Sequence, residues 1–295
     1  MIYLIASVCC STLLVIILKL FPKYGVNTLH GIVVNYFTCV LFGALLHHVS
    51  IQQMQAAFTQ DWIFPTIILG FLFIVIFNLS GISSQKIGIS VTSMSMKLAL
   101  VFPILFGFIF YHEKVILIKM VGIVLAIVAV VLSSLSAPKR EQKHDNNKWL
   151  FLLPIIVFIG SGACDSLVQF TQKKYFTNGG FESFSIMLFL IASLAGLVFA
   201  VLMYVRNREK LSMRSMIGGL LLGVPNYLSL YFLLKVLVTT GWESTIVFPL
   251  ANIGVVVTSA IVGILVFKEK LSKINIVGIV VAVLAIGLII AATKG

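Results

Sequence analysis

Ten separate apolar runs, each about as long as a bilayer is thick, constrain this chain more than any other feature. They are expected near Ile2–Leu20, Leu29–Val49, Trp62–Ser80, Val91–Phe110, Val115–Leu135, Trp149–Gln172, Ser183–Tyr204, Met216–Leu237, Ser244–Phe267 and Leu271–Ala292. Crossing ~30 Å of hydrocarbon takes about 20 residues of helix. Only 10% of the 295 residues are charged and 60% are hydrophobic, whereas a water-facing domain keeps roughly a quarter charged. The solvent over most of the surface is therefore lipid. The N-terminal run lacks a basic leader and a small-residue cleavage site, so it reads as a first span rather than a removed signal peptide.

Two halves are legible. Phe110-Tyr111-His112-Glu113-Lys114, followed by Ile118, Val121-Gly122-Ile123-Val124, Ala126 and Ala129, returns 156 residues later. There it reads Val266-Phe267-Lys268-Glu269-Lys270, Ile274, Val277-Gly278-Ile279-Val280, Ala282 and Ala285, and Gly107 and Gly263 keep the same offset. Aliphatic matches are cheap in apolar helices. A repeated Glu-Lys turn in register with glycine and alanine pairs is not, and it predicts an internal duplication. The halves are expected at 1–136 and 149–295, with a polar linker at 137–148. Five spans per half is odd, so the second half enters from the opposite side. The expected fold is all-α, with ten transmembrane helices as two inverted five-helix repeats around a central cavity. Such halves suit secondary transport, because they can open alternately to either side.

The formal net charge of +12 does not point to nucleic acid, since nearly every Lys and Arg lies at a span end or in a loop. Fourteen fall in the odd-numbered loops against six in the even loops and C-terminus. This predicts odd loops in the cytoplasm and both termini outside. Cys9, Cys10, Cys39 and Cys164 lie inside apolar runs without metal or redox spacing.

The duplicated Glu-Lys turns, with Pro103 through Glu113 to Gly122 and Pro249 through Glu269 to Gly278, resemble the ten-helix EamA-type members of the drug/metabolite transporter superfamily. The resemblance spans the whole chain in span count and duplication, but its motifs are short and do not specify a substrate. It implies a basket of ten helices around a cavity, moving small metabolites by proton coupling, exchange or facilitated transport. The prolines are not at equivalent positions: Ser259 stands opposite Pro103, and Ser93 opposite Pro249. The helix kinks are thus expected to differ between halves.

Candidate chemistry rests on the few polar groups inside spans. Asp165 is the acidic residue well inside a span, and Lys97 the basic one. A mid-helix charge costs ~2.5–3.5 kcal/mol on insertion scales, so it faces a wet cavity or a partner. Neither is duplicated, since Ile253 stands opposite Lys97. Lys97 reads either as a cavity cation for an anionic group or as a side chain reaching the headgroups. Asp165 reads either as a proton carrier or ammonium ligand; the structural alternative for both residues is a buried ion pair, or a reach to the headgroups from near a span end. Ser161, Asp165 and Gln169 recur at four-residue spacing on one helix face. Asn35, Asn78, Asn226, Tyr227 and Asn252 complete the set, with hydrogen bonding between helices the rival role for any single asparagine. Gly219 and Gly223 precede Pro225-Asn226-Tyr227, where a kink would free carbonyls.

No Walker loop, His-Glu-x-x-His, Gly-x-Ser-x-Gly or Cys-x-x-Cys occurs, so neither an enzyme nor a cofactor is expected. The sequence therefore predicts a multi-pass inner-membrane secondary transporter of a small polar metabolite. An amino acid or related compound, exported by alternating access, is the first case, with protons as a coupling ion. The alternatives are a flippase for a lipid-linked substrate, with an amphipathic lateral opening, and a non-transporting membrane subunit.

Overall fold

The structure, a computed structural model, describes residues 2–110, 117–135, 149–176, 180–207, 211–240, 244–269 and 271–293. The polar linker and the Glu113-Lys114 turn lie outside the described residues. Among those described, the longer elements are all helices: α1 (Ile2–Leu20), α2 (Thr28–His47), α3 (Ile51–Ala57), α4 (Ile63–Lys86), α5 (Ile89–Leu98) and α6 (Val101–Phe110), then α7 (Leu117–Leu135), α8 (Trp149–Tyr175), α9 (Phe181–Asn207), α10 (Met213–Thr240), α11 (Ser244–Leu265) and α12 (Lys273–Thr293).

Six of them, α1, α2, α4, α8, α9 and α10, are long and apolar enough to cross a membrane, and shorter apolar stretches occupy α5 into α6, α7, α11 and α12. Large apolar side chains cover the outside, among them Leu41, Phe64, Val198, Leu221, Val280 and Leu284, each more than half exposed. Water does not tolerate so much apolar area on one surface. The chain is a membrane protein. Many of its buried hydroxyls bond back to carbonyls of their own helix, as where Thr66 donates to the Trp62 carbonyl at 2.6 Å and Ser80 to that of Ile76 at 2.8 Å.

Small residues set the closest helix contacts. α10 lies against α2 along Gly219 and Gly223. A Cβ at Gly219 would meet the Gly31 carbonyl oxygen at 2.6 Å, and one at Gly223 would meet the Thr38 Cβ at 2.4 Å. These glycines are a packing face, the small-xxx-small pattern that lets backbones approach, and α10 runs as one helix through Pro225. The repeated alanines do likewise: Ala126 and Ala129 of α7 and Ala282 and Ala285 of α12 are fully buried in one cluster where these two helices meet.

Two features depart from the expected spans. The run at 91–110 is not one helix but two, broken at Ala99 and Leu100. Pro103 explains the position: it lacks the N–H that would bond the Ala99 carbonyl, and its ring crowds that carbonyl. The Phe102 N–H takes the carbonyl instead, at 3.0 Å, in a tighter turn. The other feature is α3, a short helix opened by a capping box between Ser50 and Gln53.

Candidate solute cavity

The break between α5 and α6 creates a helix C-terminus inside the bundle, and Lys97 stands in its last turn. The partial negative charge of that helix end favours a cation there. Opposite it, α8 presents Ser161 and Asp165 one turn apart. Phe73, Phe77 and Ser80 of α4 complete the walls, so that Lys97 and Asp165 line a single cavity of about 110 Å³. Ser80 and Ser161 are buried, Lys97 is half-buried, and Asp165 is exposed to the open space. No ion pair within 4.0 Å joins the two charges; the pair drawn together among the described residues is Lys19–Glu269. The cavity thus holds a cation and an anion apart, each able to receive the opposite charge of a solute or its hydroxyl groups.

The remaining predicted residues fall outside the lining of this cavity. Gln169, one turn beyond Asp165 on α8, is outside the cavity lining, and its side-chain oxygen is buried without a hydrogen-bond partner. Asn35 and Asn226 meet each other: the Asn226 amide donates to the Asn35 side-chain oxygen at 3.1 Å, tying α10 to α2. Cys39 adds a bond from its thiol to the Gly223 carbonyl at 3.3 Å. Asn78 donates back to the Ile74 carbonyl at 2.8 Å within α4, and Asn252 is buried on α11, which leans on α5. Tyr227 is fully buried, with a hydroxyl that has no partner. Its ring lies over Gly43, where a Cβ would meet it at 2.4 Å.

Sequence reasoning missed the device that holds α5. Glu269, in the turn between α11 and α12, accepts Lys19 Nζ at 2.8 Å, the Ile89 N–H at 2.9 Å and the Ser90 hydroxyl at 3.1 Å. It therefore caps the start of the helix whose other end carries Lys97, eight residues or ~12 Å away. Burial alone would raise its carboxyl pKa. The bonds from Lys19, Ile89 and Ser90, with the Lys19 charge, outweigh burial and hold it below its ordinary value. The Glu-Lys turn was visible as a repeat, but nothing local to it names partners 179 to 250 residues away.

No family model matches the chain. One solved structure, described only as the crystal structure of a protein, superposes with a TM-score of 0.58 over 98% of this chain and 97% of that one. At 12% identity this likeness shows the fold alone. A Priestia megaterium protein described as "Probable glucose uptake protein GlcU" is 29% identical over 212 residues, 69% of each chain. A Haemophilus influenzae protein described as "Uncharacterized protein" is 31% identical over 289 residues, 96% of this chain and 95% of its own length. The match runs from end to end, and the chain belongs to the same family as that protein.

Proposed function

We propose that the protein is a secondary transporter of a small polar metabolite, working by alternating access in a bacterial inner membrane. The observation that carries this reading is the cavity in which Lys97 and Asp165 face a common space without touching. Membrane interiors tolerate unpaired charge where it serves a pathway. The name of the Priestia megaterium relative supports transport as the activity class.

Ten spans in two inverted repeats are part of the proposal, with α5 and α6 together as the fourth span and α3 outside the count. The helix pairings support it. Exchanging halves turns the α1–α10 contact into α8–α4, the α1–α11 contact into α8 with α5 and α6, and the α2–α10 contact into α9–α4. The pairs α2–α9, α5–α11 and α7–α12 map onto themselves. That correspondence supports the reading of an EamA-type basket.

An amino acid, exported, is the first solute class: its carboxylate matches Lys97 and its ammonium Asp165. The second class is a sugar taken up, favoured by the relative's description; its hydroxyls would accept from Lys97 and donate to Asp165. Protonation of Asp165 would couple either solute to the proton gradient. The flippase alternative draws less support. The groove between α2 and α9, about 290 Å³ and lined by Val33, Phe37, Val201 and Tyr204, is apolar with little polar surface.

Purified protein in liposomes, loaded in turn with labelled alanine and glucose, tests the reading. Flux of one of them is expected, with Asp165→Asn shifting its pH dependence and Lys97→Met lowering it. Wild-type flux and pH profile in both variants would remove the cavity from the transport path.

A further inference from the structure

A second and larger hollow opens at the end of the bundle where α2 finishes and α9 begins. It is about 540 Å³ and is lined by His47, His48, Gln60, Trp62, Phe176 and Glu182, among others. Among the described residues that line it, Glu182 is the only acidic one and none is Lys or Arg, although the chain as a whole carries +12. The lining mixes hydrogen-bond acceptors and donors with two aromatic rings. Trp62 and Phe176 meet edge to face, with centroids 5.3 Å apart.

Between this vestibule and the charged cavity runs an unbroken file of rings. His47 stands 6.1 Å from Tyr227, Tyr227 6.1 Å from Phe189, Phe189 5.8 Å from Tyr36, and Tyr36 5.9 Å from Phe77. His47 lines the vestibule and Phe77 the cavity. Two polar atoms along the file are buried and unsatisfied, His47 Nε2 and the Tyr227 hydroxyl. Leaving such groups unpaired is unfavourable, so the arrangement that leaves them bare is expected to be relieved when a polar molecule passes.

We infer that the vestibule is a second binding site for the transported solute, closed off from the Lys97–Asp165 cavity in this conformation by the aromatic file from His47 to Phe77. Its ligand is a small solute without net negative charge, presenting hydroxyl or ammonium donors to Glu182 and Gln60 and an apolar edge to Trp62 and Phe176. The Tyr227 hydroxyl and His47 Nε2 meet that solute as the file parts. This inference rests on the transport reading, and it adds a waiting site and a barrier to it.

The test uses Trp62 as the reporter. The chain has three tryptophans, so Trp149→Phe with Trp242→Phe leaves Trp62 alone. Its fluorescence is titrated with alanine, glucose and glutamate in separate arms, beside liposome flux of the same solutes. A saturable response to alanine or to glucose is expected, naming the solute, with none to glutamate. The response is expected to survive Asp165→Asn and to weaken roughly tenfold in Glu182→Gln, the loss of one hydrogen bond to a charged group. Tyr227→Phe, which keeps the ring, is expected to leave the titration intact while lowering flux severalfold. Absence of any response to alanine and glucose overturns the vestibule site whatever the flux. So does a response that disappears with Asp165→Asn or is strongest for glutamate. Unaltered flux in Tyr227→Phe overturns the role of the file. A Trp62 response without flux leaves the vestibule standing and sinks the transport reading instead.

Discussion

Two lysine–carboxylate systems sit at opposite ends of one short helix. At the start of α5, Lys19 and Glu269 close to 2.8 Å, and the carboxylate collects two further donors. At its end, Lys97 and Asp165 share a cavity and do not meet. The chemistry is the same and the arrangement opposite. A satisfied pair has given up its capacity to bind anything else and serves to fix α5. An unsatisfied pair keeps that capacity, and it is tolerated because a helix end and an open space offset part of its cost.

The comparison breaks most sharply on transport. Lys97→Met or Asp165→Asn should lower solute flux by roughly ten- to a hundredfold, the loss of a charged hydrogen bond, with little change in melting temperature. Glu269→Gln should do the reverse, lowering thermal stability by about 1–3 kcal/mol in a detergent melt while the cavity still binds. Acid sharpens the contrast. The carboxyl of Glu269 lies below its ordinary value of 4.5 in the folded chain, so its contribution is complete above that value. It is lost as pH falls through the folded pKa, and Glu269→Gln should flatten that acid limb. The smallest effect belongs to the α2–α10 bond: Asn226→Ala should cost about 0.6–1.7 kcal/mol, read by the same melt, without abolishing flux. Abolished flux there would return Asn226 to the solute path.

The long helices were legible because a 20-residue apolar run in lipid has one good option. The run expected at Leu29–Val49 is observed at Thr28–His47, and that expected from Ser244 starts there. Lys97 and Asp165 were legible because charge inside such a run is costly. The break at Ala99 was less so: Pro103 announced a disturbance, but a proline can be absorbed, as Pro225 is in α10. α3 carried its own signal in Ser50 and Gln53, a short capping box that is faint beside the long apolar runs around it. The meeting of Asn35 with Asn226 depends on how two helices 191 residues apart are rotated and staggered, which no local pattern encodes. The same holds for the turn of rings that joins His47 to Phe77.

One consequence follows from the proline at 103. Its counterpart 156 residues on is Ser259, which lies within an uninterrupted α11. One of these two facing elements is therefore jointed like a finger, while the other runs on without a break at the matching position. If the halves trade shapes during a transport cycle, the bending falls on one side of the molecule. The two openings would then differ in stiffness and in the time each stays ajar, giving the proposed inverted repeat an intrinsic sense of direction.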